Sequence, residues 1–216
     1  MTTRSYIVAA ALAALAAIVA GCGAGQRERE TAGTVPLNVN LVENPSFETW
    51  NGSVPTGWNI EQYEGEGERS MLYGRSSDEK RSGSYSFYLR GTYNTEKWMM
   101  LTQRHPVLPG HRLRYGVEIR TKGLKKNRGQ GDFANLFVRF YKRNGERVTE
   151  ERWAEGNTRH LSGTNEWRRY GRGVFVPKEA RTVEVGLIRQ KTGWMYFDDV
   201  ELVLEESAPW RETETK

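Results

Sequence analysis

Along most of this chain hydrophobic and polar residues alternate one by one. In "RLRYGVEIR", Leu113, Tyr115, Val117 and Ile119 are interleaved with Arg112, Arg114, Gly116, Glu118 and Arg120. In "ANLFVRFYKRNGERV", Leu136, Val138 and Phe140 share one parity, and Phe137, Arg139 and Tyr141 the other. "SYSFYLRG" sets Tyr85, Phe87 and Leu89 against Ser84, Ser86, Tyr88 and Arg90, and "TVEVGLIRQ" repeats the pattern with Val183, Val185 and Leu187. A period of two predicts strands with one face buried. Pro109-Gly110, Asn144-Gly145 and Ser82-Gly83 supply turn chemistry between the runs, and Asn144-Gly145 predicts a hairpin. After the N-terminal segment no stretch keeps a 3.6-residue period for three turns. The pattern therefore predicts an all-β fold, a two-sheet β-sandwich.

One predicted strand breaks the logic. "GWMYFDDVELVL", residues 193–204, would place Trp194, Tyr196, Asp198, Val200 and Leu202 on a single face. A carboxylate would then point the same way as the best apolar side chains of the strand.

The N-terminus differs from the rest. Arg4 precedes fourteen apolar residues, Ile7 to Ala20, followed by small residues. At ~1.5 Å per residue the run reaches roughly 21 Å, short of a hydrocarbon core of about 30 Å, so an export signal is predicted rather than a span. Val19-Ala20-Gly21-Cys22 resembles the lipobox of bacterial lipoproteins. The resemblance implies a signal over 1–21, lipid on Cys22, and attachment to an envelope membrane. Gly23 after the cysteine points to the outer membrane. Cys22 is the single cysteine, so an exported chain would hold no disulfide. Residues 22–38 read as a tether, 39–205 as one domain and 206–216 as a charged tail. The sixteen residues after Cys22 span on the order of 20–25 Å as a coil. With 32 Lys and Arg against 27 Asp and Glu, the formal charge is +5. Removing Arg4 with the signal leaves +4, too slight to argue for nucleic acid on an exported protein.

In order along the domain, "NLVENPSFETW", "PTGW", "RSGSYSFYLRG", "QRHPVLPGHRLRYGVEIRTKG", "NLFVRFYKRNGERV" and the run from Asn165 to Leu202 resemble carbohydrate-binding modules of families four, nine and twenty-two. The resemblance covers nearly all of 39–204. It implies a jelly roll of the galactose-binding-like type and a structural calcium ion beside the first and last strands. The ligands it implies are the carboxylates of Glu48, Asp78 and Asp198 with the carbonyls of Ser46 and Arg81; Glu79 is an alternative to Asp78. An ion would explain the inward carboxylate, since calcium takes six to eight oxygens. The other explanation is that Asp198 pairs with an arginine or with backbone amides and no metal binds. Asp199 is expected to meet solvent or a loop amide.

In such modules ligand crosses the outward face of one sheet or the loops at its edge. A sugar ring needs an aromatic plane together with hydrogen-bonding groups. The predicted binding residues are Phe137, Arg139 and Tyr141 on one strand, Glu118 and Arg114 on the expected neighbour, Trp98, and Arg189 with Gln190 at a strand end. Phe137 reads equally as a rim residue. Trp58, Trp167 and Trp194 are expected in the core; Trp153 reads either way, and Trp210 belongs to the tail. His105, His111 and His160 have no metal-ligand spacing. No nucleophile elbow, no phosphate loop and no carboxylate pair in a catalytic context is present. The sequence thus predicts a non-catalytic carbohydrate-binding module on an envelope lipoprotein. The alternative is a structural or protein-interaction module on the same fold.

Overall fold

The alternating runs become strands in two sheets whose apolar parities face each other. The computed structural model describes residues 35–63, 72–91, 98–125, 134–148, 152–153, 161–189 and 192–205, all in one compact unit. Its strands are β1 Trp50–Asn51, β2 Val54–Pro55, β3 Asn59–Tyr63, β4 Leu72–Ser76, β5 Ser86–Gly91 and β6 Trp98–Pro106. Then come β7 Arg112–Lys125, β8 Ala134–Tyr141, β9 Arg152–Trp153, β10 Gly163–Phe175, β11 Thr182–Arg189 and β12 Thr192–Glu205. A front sheet runs β3-β6-β11-β8-β9 and a back sheet β10-β7-β12-β5-β4; β1 and β2 form a separate two-stranded ribbon. All pairings are antiparallel. This is the predicted β-sandwich.

One core joins the sheets. The front sheet contributes Met99, Leu101, Leu136, Val138, Phe140, Val183, Val185 and Leu187; the back sheet contributes Phe87, Leu89, Leu113, Val117, Ile119, Met195 and Phe197. Each such side chain stabilises the fold by about 1.5–3 kcal/mol when fully buried. Phe47, Trp58 and Phe87 close one end, with ring centroids 5.5 and 5.6 Å apart. Trp58 is core as predicted, at 4% exposure. Val35 and Leu37 also pack on this core, so the folded unit begins four residues before the predicted boundary at 39. The Asn144-Gly145 hairpin is present: Gly145 donates to the Lys142 carbonyl (3.0 Å) and Lys142 to that of Glu146 (2.8 Å).

The single-face reading of β12 fails, for a definite reason. Register with β7 shifts between Asp198↔Glu118 and Glu201↔Gly116, three residues on β12 against two on β7. This is a β-bulge, with Asp199 at φ 47°. Met195 and Phe197 face the core before it, Val200, Leu202 and Leu204 after it. Trp194, Tyr196 and Asp198 point outward from the back sheet. Trp194 is accordingly half-buried rather than core, and Trp167, on edge strand β10, is half-buried too. Asn40 bridges the bulge: its amide donates to the Val200 carbonyl and accepts from the Leu202 N–H, both at 2.9 Å.

Candidate functional site

The outward face of the front sheet gathers most of the predicted binding residues. On β6 the outward positions are Trp98, Met100, Thr102 and Arg104; on β11, Ile188, Gly186, Glu184 and Thr182; on β8, Phe137, Arg139 and Tyr141. The face divides in two. At one end Met100, Phe137 and Ile188 form a buried apolar cluster with Trp98 packed on its side. Phe137 has no exposed surface, because its ring lies across Gly186; a Cβ there would sit 2.3 Å from the ring. Phe137 is therefore a floor beneath the face, and an incoming ring cannot stack on it.

At the other end Glu184, 2% exposed, takes three donors: Arg104 Nε at 2.8 Å, Arg139 Nη1 at 3.2 Å and the Tyr141 hydroxyl at 3.0 Å. A buried carboxylate needs such partners. The Arg104 guanidinium lies 4.5 Å from the centre of the Tyr141 ring, and that of Arg139 4.3 Å from the centre of the Phe137 ring. Burial and the neighbouring Glu184 push the Tyr141 phenol above its usual range. Asn59 and Glu61 border the same face from β3, and Thr102 donates to Glu61 at 3.3 Å. Sequence reasoning missed Glu184 and Arg104, although their parity on "TVEVGLIRQ" and "MMLTQRHP" marks them as outward.

Three predicted residues, Glu118, Arg114 and Arg189, lie elsewhere. Glu118 is on β7, between β10 and β12 in the back sheet, where Arg81 is 3.9 Å away. β7 and β8 are consecutive in sequence but belong to opposite sheets, so Arg114 and Glu118 do not border Tyr141. Arg189 shares the inward parity of Val183, Val185 and Leu187 and is fully buried; it donates to the Gly193 carbonyl at 2.7 Å. Burial pulls its guanidinium down to about 9. It has no surface for a ligand. Gln190, His160, Trp210 and Cys22 lie outside the described residues, as does the side chain of Trp153.

Most of the predicted metal ligands meet at one corner. Asp198 Oδ2 accepts the N–H groups of Arg81 (2.8 Å) and Ser82 (3.1 Å), and Oδ1 that of Asp199 (2.8 Å). Glu48 accepts those of Ser84 (2.9 Å) and Tyr85 (3.0 Å). The two carboxylates thus grip one short loop from both sides. Gly83 in that loop has φ 54°, and a Cβ on it would lie 2.3 Å from Glu48 Oε1. The hydroxyls of Ser46 and Ser82 both donate to Asp199 Oδ1 at 2.7 Å, which is where that side chain goes. Asp78 is exposed and accepts from the Ser77 hydroxyl at 3.4 Å; among the described residues no hydrogen bond joins it to Glu48 or Asp198. Glu79 is held by Lys122 and Arg120 and does not replace it.

The donor chemistry at this corner suits a hard cation. One lone pair remains on Asp198 Oδ1 and one on Glu48 Oε2, oxygens of the kind calcium takes. Among the described residues no three His, Cys, Asp or Glu side chains converge as a metal site. The amides alone account for a carboxylate in this position.

His105 and His111 contact Gln103 (3.0 Å) and the Pro109 carbonyl (3.4 Å), as turn and strand-end residues do. On the outward back sheet, Trp194 and Tyr196 stack at 5.9 Å, and the Arg90 guanidinium lies 4.5 Å from the Trp194 centroid. These contacts take up the faces of Trp194.

No protein-family model matches the chain, and no curated protein matches it. Among solved structures it is similar to the enzymatically active domain of tailspike protein 4 of bacteriophage CBA120, at 18% identity and a TM-score of 0.60. That match covers 76% of this chain but 21% of the tailspike chain, so this chain spans about a fifth of that protein. It supports the fold alone. Carbohydrate-binding modules also align over nearly their whole length. One is TmCBM61 in complex with β-1,4-galactotriose: 16% identity, TM-score 0.46, 77% of this chain and 99% of that one. Another is a xylan-binding domain from family 22: 14% identity, TM-score 0.48, 79% and 99%.

The corner generates a pH dependence. Burial pushes the Asp198 carboxyl up to about 6 against the pull of the Ser82 and Arg81 amides, from an ordinary 3.8. A raised carboxyl favours the folded state when protonated. Its contribution is full below about pH 4 and is lost as pH rises through about 6, on the order of 3 kcal/mol in all. His105, pushed down by burial, acts in the opposite sense, its contribution being lost as pH falls. In metal-free buffer, urea unfolding of Asp198→Asn should therefore lack the decline between pH 4 and 6 that separates it from the parent chain. Parallel profiles for the two would contradict the assignment.

Proposed function

We propose that this chain is a non-catalytic carbohydrate-binding module, carried on an envelope lipoprotein, that takes a poly- or oligosaccharide on the outward face of its front sheet. The supporting observation is the division of that face. Trp98, half-buried on the Met100–Phe137–Ile188 patch, offers apolar contact, and beside it Arg104, Arg139, Tyr141 and Glu184 form a fixed polar cluster. Contact area next to a few preorganised polar groups is what a sugar ring requires. Arg104, at 58% exposure, keeps donors turned toward solvent and binds paired oxygens with its planar fork. The modules named above, one in complex with β-1,4-galactotriose and one a xylan-binding domain, are in keeping with this reading but do not carry it. Anchoring through lipid on Cys22 and an outer-membrane location rest on the lipobox resemblance.

In this reading Glu48 and Asp198, with the Ser46 and Arg81 carbonyls, hold a calcium ion that ties the first residues of the domain to β12. When bound, the ion would neutralise Asp198 and supply structural cross-linking rather than chemistry. Adding calcium at neutral pH should raise the thermal midpoint by several degrees, and Glu48→Gln should abolish the rise; no shift on addition removes calcium from the account.

A protein-binding role is favoured by one observation: Arg104 already covers a face of the Tyr141 ring, and Phe137 is wholly buried, so the face is partly filled from within. Gel retardation on xylan, galactan and acidic polysaccharides distinguishes the two. Retardation should be seen with at least one, and Trp98→Ala and Tyr141→Ala should each weaken it about tenfold, roughly 1.4 kcal/mol. Retardation unchanged in both variants would move the site off this face; none on any glycan would favour a protein partner.

A further inference from the structure

We propose that the end of the sandwich formed by loops 107–111, 142–147 and 176–181 rests on an anionic lipid bilayer, with Phe175 entering its interface. The proposal rests on the anchoring reading above and adds an orientation to it. Phe175 is 65% exposed, more than any other large hydrophobic residue described; Val39 and Leu72 follow at 48% and 44%. It closes β10 opposite Arg112. With Pro109, Gly110, Val176, Pro177 and Lys178 it lines a cavity of about 400 Å³ that opens at this end. A ring this exposed meets mostly water, with little apolar surface against it.

Charge at the same end is one-sided. Arg112, Lys142, Arg143, Arg147, Lys178 and Arg181 stand against Glu146, Glu179 and Glu205, a local excess of three positive charges. An exposed aromatic ringed by basic residues is the surface chemistry of interfacial membrane binding. Each cation held near an anionic leaflet adds to that attraction.

The direction of the chain supplies the second, independent argument. Asn38 donates to the Leu204 carbonyl and Leu41 to that of Leu202, both at 2.8 Å, and Asn40 bridges antiparallel to Val203. Residues 35–38 therefore lie near the Glu205 end of β12, with Val35 and Leu37 packed on the core. Glu205 is paired with Arg112, and Arg112 with Phe175. The described part of the domain thus begins near the end that carries Phe175 and the basic loops. A lipid anchor upstream of residue 35 would be joined to the domain near this end.

Leu72 provides an internal control. It is exposed as well, but through Arg90, Trp194 and Lys122 it lies at the opposite end of β7, ten residues from Arg112 and roughly 30 Å away. The full chain, with p-benzoylphenylalanine replacing either Phe175 or Leu72, is mixed with phosphatidylcholine vesicles with and without phosphatidylglycerol, irradiated and assayed for phospholipid adducts. Adducts from position 175 should exceed those from position 72 by about tenfold, and phosphatidylglycerol should increase them. Lys178→Glu combined with Arg143→Glu should lower the yield from position 175 on the phosphatidylglycerol vesicles on the order of tenfold, with the thermal midpoint unchanged. Equal yields from the two positions on sedimenting protein, or adducts from 175 to a second copy or another protein instead of lipid, would overturn the orientation while leaving the anchor intact. A full chain that does not sediment with vesicles would overturn the anchor and the orientation together.

Discussion

The extra residue at Asp199 turns β12 over between Phe197 and Val200, and much of the molecule is arranged around that turn. Before it, the strand sends Met195 and Phe197 inward and Trp194 and Tyr196 outward; after it, Val200, Leu202 and Leu204 take over the core. At the point of reversal Asp198 faces neither core nor open solvent. It meets the loop at 81–82, whose amides it accepts, while Glu48 holds the same loop from the other side. Asn40 spans the bulge with a side-chain amide in place of a ladder. The beginning of the domain, the loop before β5 and the last strand are thereby tied at one corner. A bulge without these partners would leave buried backbone groups unpaired, at about 1–3 kcal/mol each.

Alternation made much of this legible. The parities of β5, β7, β8 and β11 are those of the sequence pattern, because one buried face selects one parity throughout a strand. The bulge was not legible, since an inserted residue changes the parity without changing the apolar content of "GWMYFDDVELVL". Nor does alternation say which strands are neighbours. Leu113 to Ile119 and Leu136 to Phe140 read as a natural pair, yet the chain crosses from one sheet to the other between them, and Glu118 leaves the site with β7. Arg189 was open to prediction, because its odd number groups it with Val183, Val185 and Leu187. Its charge argued for the surface, its parity for the interior, and parity prevailed. The burial of Phe137 depends on Gly186 standing opposite, a matter of register that no single strand reveals.

The two outward faces have different characters. On the back sheet, arginines lie against glycines and carboxylates: Arg169 over Gly116 and on Glu201, Arg112 over Gly173 and near Glu205. Trp194 is enclosed between Arg90 and Tyr196. Those contacts are internal and leave little aromatic plane for a ligand. On the front sheet the apolar patch and the Glu184 cluster lie at successive positions along the same three strands, β6, β11 and β8, held by backbone registers. A site on strands loses little freedom when it binds. The polar half of the front-face site borders the end proposed to face lipid, since Tyr141 and Pro106 both pair with Thr182 where those loops join the strands.

The central claim, that ligand meets the front sheet from outside, is tested most directly by amide chemical-shift mapping of the domain during titration with oligosaccharides cut from whichever polysaccharide retards it. The account predicts the largest changes on β6, β8 and β11, around Trp98, Arg104, Arg139, Tyr141 and Glu184, with β7, β10 and β12 nearly silent. Changes concentrated on the back sheet or on the loop at 81–85, with the front sheet unmoved, would contradict it.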